Sequence, residues 1–151
     1  MIKDNSVFSD KVLINAPIDV VWNILVDFEG YSKWNPFCPQ IINKALAVGE
    51  EVDMQIDLGN GLQQQVEVLE RIEQPSQLAW GMRMVLDGEE QLKALRTQCL
   101  SAIDENSCEY ISEDAFSGTL AKQVTEAMGP AIEKGFNLCA YGLKAYAESQ
   151  C

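Results

Sequence analysis

The run Leu78-Ala79-Trp80-Gly81-Met82-Arg83-Met84-Val85-Leu86 alternates so that Leu78, Trp80, Met82, Met84 and Leu86 share one face of a strand. An indole beside two thioethers makes a polarisable, adaptable wall, suited to holding varied apolar molecules rather than to moving protons. The same residues would serve equally as ordinary core. The chain contains no histidine. That removes Ser-His and Cys-His nucleophile pairs, the H-E-x-x-H zinc site, the two-His-one-carboxylate iron site and imidazole acid/base work near neutrality. Any catalysis would fall to carboxylates, Arg, Lys, Tyr or Cys. No EF-hand loop, P-loop or G-x-G-x-x-G motif occurs. Five cysteines, Cys38, Cys99, Cys108, Cys139 and Cys151, are odd in number and contain no C-x-x-C pair, so neither a disulfide framework nor a zinc site is suggested. Cys99 and Cys139 read as small core residues and Cys151 as a frayed terminal thiol. The sequence points to no metal and no cofactor.

The bulk properties narrow the partners. A chain of 151 residues fits one domain spanning 1–151. A composition 47% hydrophobic and 23% charged is that of a soluble globular protein. The net charge of −12 repels phosphate backbones and anionic membrane surfaces, and the three arginines, Arg71, Arg83 and Arg96, do not cluster. Nucleic acid is therefore not expected as a partner, and the acidity reads as a device for solubility. The apolar runs fall far short of the ~18 residues of a membrane span, and Met1-Ile2-Lys3-Asp4-Asn5-Ser6 lacks a signal peptide's apolar core. No stable membrane insertion is expected, and the cytoplasm is the expected compartment.

The elements that would position these residues follow from periodicity. Residues 6–15 alternate as a first strand. Pro17 suits a helix's first turn and Asn15 a cap before it, with Val20, Val21, Ile24, Leu25 and Phe28 gathered on one face of a helix over 17–28 that Gly30 stops. A second short helix is expected near 30–34. Strands follow at about 40–46, at Glu50–Leu58 and at Leu62–Glu73, the last two joined by the turn Gly59-Asn60-Gly61. Further strands are expected at Gln77–Leu86, Gln91–Ile103 and Cys108–Phe116. That makes seven, mostly joined by short turns, which argues for an antiparallel meander. Met54, Ile56 and Leu58, with Val66 and Val68, extend the apolar face of the Trp80 strand. After Gly118 the period becomes helical to Ser149: Val124, Met128, Ala131, Ile132, Gly135, Cys139, Gly142, Leu143 and Tyr146 form a stripe. Gly129-Pro130 is expected to kink or divide this helix.

Residues 14–37 are the most specific stretch. Ala16-Pro17, Val21-Trp22, Asp27-Phe28 and Trp34-Asn35-Pro36 resemble the START-like, or SRPBCC, superfamily of polyketide cyclases/dehydrases and lipid-transport proteins. Asp114-Ala115-Phe116-Ser117-Gly118 is similar to its acidic-x-Phe-x-Gly strand end, with aspartate where glutamate is usual, and Gly135 through Glu148 to its terminal helix. The resemblance implies an α+β helix-grip fold: a seven-stranded curved antiparallel sheet wrapped around a long C-terminal helix, with two short helices between strands 1 and 2 and a cavity under the long helix. It also implies that Asp114 and Arg96, with Gln98 beside it, face that cavity, although alternation around 92–103 fits either face. Trp80, Met82, Met84, Met128 and Ile132 would supply the apolar lining, and Arg83 would point outward. Tyr31, Trp34 and Phe37 would either gate the mouth or staple the short helices. Three functions remain open: binding or transport of a small hydrophobic or amphipathic molecule such as a lipid, isoprenoid or polyketide; a cyclase or dehydratase using Arg96, Asp114 or Tyr110; and a protein-interaction module like the superfamily's Hsp90-activator branch. The first is the expectation, and it assigns no catalytic residue.

Overall fold

The computed structural model describes residues 1–151. The elements run β1 (Ile2–Lys3), β2 (Ser6–Phe8), β3 (Val12–Ile14), α1 (Ile18–Val26), a 3-10 helix (Phe28–Lys33), β4 (Gln40–Ile42), β5 (Glu51–Asp57), β6 (Leu62–Glu73), β7 (Gln77–Leu86), β8 (Glu89–Asp104), β9 (Ser107–Ser117) and α2 (Ala121–Ser149). The strands make one antiparallel sheet in the order β1-β2-β9-β8-β7-β6-β5-β4, with β3 also paired to β9. The architecture is the expected helix grip, with nine strands in place of seven.

The extra strands have a local cause. Phe8 pairs with Glu113 and Val12 with Tyr110, so four steps along the first strand match three along β9. The one surplus residue is a bulge that divides the strand into β2 and β3. Buried Ser9 fills it, its Oγ accepting the Ser112 N–H at 2.9 Å. β1 is a short return paired with β2. The strand expected over 40–46 is shorter, ending at Ile42.

Three helical details also differ from expectation. Pro17 rather than Asn15 occupies the cap position of α1, without a side-chain cap, and the Asn15 N–H instead donates to Glu148 Oε2 at 2.8 Å. Gly30 does not stop α1, which ends at Val26; it lies buried inside the 3-10 helix. Pro130 neither divides nor ends α2, which continues from Ala121 to Ser149. Apolar residues recur on one side throughout that length, so packing outweighs one missing N–H donor.

The core lies between the concave sheet face and α2, closed at one end by α1 and the aromatic turn, with Trp22, Leu25, Tyr31, Tyr110, Phe136 and Leu143 among its buried members. Tyr31 meets Trp34 edge-on with ring centroids 4.6 Å apart, and its hydroxyl donates to the Leu25 carbonyl at 2.5 Å. Two glycines let α2 approach this turn. A Cβ on Gly135 would fall 2.2 Å from Phe37 Cδ1, and one on Gly142 would fall 2.2 Å from the Trp34 carbonyl oxygen. Trp34 and Tyr31 are therefore staples.

Candidate functional site

Between α2 and strands β5 to β9 the sheet holds a cavity of about 330 Å³, near the lower end of the roughly 300–1,000 Å³ usual for small-molecule sites. Strand parity decides its walls. On β7, Trp80, Met82 and Met84 face it; on β8, Leu92, Ala94 and Arg96; on β9, Asp114 and Phe116. The open question of which face of β8 points inward is answered by burial: Leu92, Ala94, Arg96, Gln98 and Leu100 are all buried. From above, α2 contributes Val124, Met128, Ile132 and Phe136, spaced by four so that they share one side. Met84 and Met128 are 46% and 40% exposed, which puts the mouth beside them.

Seven of the eight expected lining residues, Trp80, Met82, Met84, Arg96, Asp114, Met128 and Ile132, thus surround one space. Gln98 does not. It shares the inward face of β8 with Arg96, two residues farther along, where the cavity has given way to packed core. Its Oε1 accepts the Tyr110 hydroxyl at 2.6 Å. Leu86, expected on the Trp80 face, is exposed, as is Val85 of the other face, because the end of β7 runs past the core. Arg83 points outward and pairs with Glu90 at 3.2 Å.

The larger correction concerns β6. Val66 and Val68 are exposed on the outer face, while Gln63, Gln65 and Glu67 turn toward the cavity. The register shows why. Ile56 pairs with Gln63, Met54 with Gln65 and Val52 with Glu67, and residues directly opposite one another in a sheet share a face. The tight turn at Gly59-Asn60-Gly61, where Asp57 Oδ1 accepts the Gly59 N–H at 2.7 Å, sets that register. The turn and the inward Met54 and Ile56 together would have revealed Glu67. Sequence reasoning followed the valines instead.

The polar end of the cavity is built around Arg96, which is 95% buried by its 5% residual exposure. Its guanidinium carbon lies 4.2 Å from the Phe136 ring centroid, 5.6 Å from Phe37 and 5.8 Å from Trp80. Desolvated cation–π contacts of this kind are worth about 2 kcal/mol or more. Nη2 donates to Cys139 Sγ at 3.6 Å, whereas buried Nε has no partner. Burial works against the charge, but Cys139 and Tyr110 raise the arginine above its ordinary value, and it stays a cation.

Asp114 stands opposite Arg96 across the β8–β9 ladder. No ion pair joins the two, and buried Asp114 Oδ1 is also unpartnered. Burial pushes the Asp114 carboxyl up to about 6, with Arg96 opposing and Glu113 adding to the shift. Glu67 is pushed up to about 8, first by burial and then by Asp114, with Arg96 again opposing. The cavity therefore holds a permanent cation beside two carboxyls that burial shifts toward their neutral forms, Glu67 the more strongly. No group of three or more Cys, Asp and Glu side chains is placed to hold a metal ion.

Residues 6–148 match the family model described as polyketide cyclase/dehydrase and lipid transport, and the chain belongs to that family. Solved structures agree in fold. An aromatase/cyclase from Streptomyces sp. R1128 superposes with a TM-score of 0.72 at 15% identity, covering 96% of this chain and 94% of that one. A START superfamily protein from Mycobacterium smegmatis gives 0.71 at 15% identity, covering 97% and 99%. A protein from Arthrobacter aurescens gives 0.70 at 20% identity, covering 99% and 90%. No curated protein sequence matches. At these identities the likeness is one of fold. No helix is long and apolar enough to cross a membrane.

Proposed function

We propose that the protein binds a small, largely apolar molecule with one polar end, of the lipid, isoprenoid or polyketide kind, in the cavity beneath α2. The supporting observation is the cavity's division into two parts. Met82, Met84, Leu92, Phe116, Val124 and Met128 offer an adaptable apolar wall, and Arg96, Asp114 and Glu67 converge at one end. Holding one buried and two half-buried ionisable groups together without full pairing costs stability, so their presence fits a role toward a ligand better than a role in folding. Mass spectrometry of small molecules extracted from the purified protein, followed by titration of the recovered class against the protein's tryptophan fluorescence, tests the reading. A bound amphipathic molecule whose return quenches or shifts the emission is the expected result. A panel of lipids and flat aromatics that alters neither emission nor melting temperature overturns it.

One observation favours enzymatic use of the same site as the second reading. Glu67 and Asp114 occupy one cavity with their pKa values pushed to about 8 and about 6, so one carboxyl can donate a proton while the other accepts one. A cyclase or dehydratase step would use such a pair on an enclosed polyketide-like substrate. Turnover lost in both Glu67→Gln and Asp114→Asn, with ligand binding retained, would distinguish catalysis from carriage.

A further inference from the structure

Resting on the binding reading above, we infer that the polar end of the cavity is matched to a ligand hydroxyl, phenolic or alcoholic, and discriminates against a carboxylate on the same carbon skeleton. Two orphaned atoms fix this choice. Arg96 Nε carries an N–H with no acceptor, and Asp114 Oδ1 is an acceptor with no donor. Both residues line the cavity, and both belong to one cross-strand pair. A buried polar group left unmatched is costly, so the ligand group that satisfies both is favoured over one that satisfies either.

A hydroxyl oxygen accepts from Nε and its O–H donates to Oδ1 once the ligand displaces the side chains that now cover both atoms. A ketone accepts from Nε and leaves Oδ1 unpaired. A carboxylate does the same and also sets an anion against Asp114. An ammonium group donates to Asp114 but opposes the Arg96 cation. The groups surrounding Asp114 do not reverse this preference. β8 supplies the one cation, β6 supplies Glu67, Glu113 adjoins on β9, and the lining residues of α2, Val124, Met128, Ile132 and Phe136, carry no charge. The rings of Phe136, Phe37 and Trp80 around the guanidinium suit a flat skeleton directly behind the hydroxyl.

Three two-ring probes of one skeleton, 2-naphthol, 2-naphthoate and naphthalene, test the inference by calorimetry on the full chain at neutral pH. The expected order places 2-naphthol about tenfold or more tighter than both others, the usual worth of a matched buried hydrogen bond. In Asp114→Asn, which keeps the shape and removes the anion, the naphthol-over-naphthoate preference should collapse. If naphthoate binds the parent as tightly as naphthol, or if the preference survives in Asp114→Asn, the hydroxyl assignment is wrong while the binding reading stands. If none of the three binds, the hydroxyl inference fails, while the binding reading stands or falls on the wider panel of lipids and flat aromatics. Should Asp114→Asn not fold, the order of the three probes on the parent decides alone.

Discussion

The two halves of α2 are one helix used in two ways. Its C-terminal half buries Cys139, Ala140, Leu143 and Ala147 completely, and Gly135 and Gly142 bring its backbone against Phe37 and Trp34. Its N-terminal half presents Val124, Met128 and Ile132 to open space above the sheet. Small residues let a helix sit down on its neighbours, and larger flexible ones hold it away. One end of the helix is thus closely packed and the other stands over a cavity. The division falls at Arg96, whose guanidinium touches Cys139 on the packed side and lines the cavity on the other.

Truncation should expose this division most sharply. Leu143→Ala removes a fully buried side chain from the tightly packed end and is expected to cost about 2–5 kcal/mol. Met128→Ala, at the cavity mouth, is expected to cost about 0.5 kcal/mol. Urea unfolding of both variants measures the contrast. Equal losses would mean that the two halves of the helix contribute alike and that the cavity is filled by collapse in solution.

The next effect concerns the charges at the boundary. Asp114 and Glu67 have folded-state values of about 6 and about 8, above their ordinary 3.8 and 4.5. The folded chain therefore holds more protons than the unfolded chain across this interval. The sign follows from linkage: these two groups destabilise the fold progressively as pH rises from about 4 to about 8. Glu67→Gln should raise stability at about pH 8.5 by about 1–3 kcal/mol and leave it nearly unchanged at about pH 4, while Asp114→Asn should flatten the lower part of the slope. Urea midpoints across that pH range provide the measurement. A flat profile in the parent would show both carboxyls to be well solvated.

The packed end was more legible in the sequence than the cavity. Pro17, Trp22 and the Trp34-Asn35-Pro36 turn identify local structure by residue type alone, and the long stripe after Gly118 identifies α2 by period. Trp80, Met82 and Met84 were readable because β7 keeps its alternation as far as Met84. What failed did so for two physical reasons. A bulge changes parity without a residue-type signature, as at Ser9 and again between Leu69 and Arg71. A cavity face also need not be apolar: β6 turns glutamines and a glutamate inward and two valines outward, the reverse of what binary patterning expects. Glu67 escaped notice because the rule that finds cores hides polar sites.

The smallest expected effect tests that reversal on β6 directly. Val66 is 41% exposed on the outer face, so Val66→Thr should change stability by no more than about 0.5 kcal/mol and leave the affinity for any cavity ligand unaltered. Gln65, its sequence neighbour of opposite parity, lines the cavity. Gln65→Leu should also fold normally, since no buried charge is removed, yet it should alter ligand affinity because it changes the wall beside Glu67. Paired melting curves and ligand titrations separate the two. Equal binding by both variants would mean that β6 does not reach the ligand. A binding change in Val66→Thr alone would reverse the assigned parity and, with it, the place of Glu67 in the site.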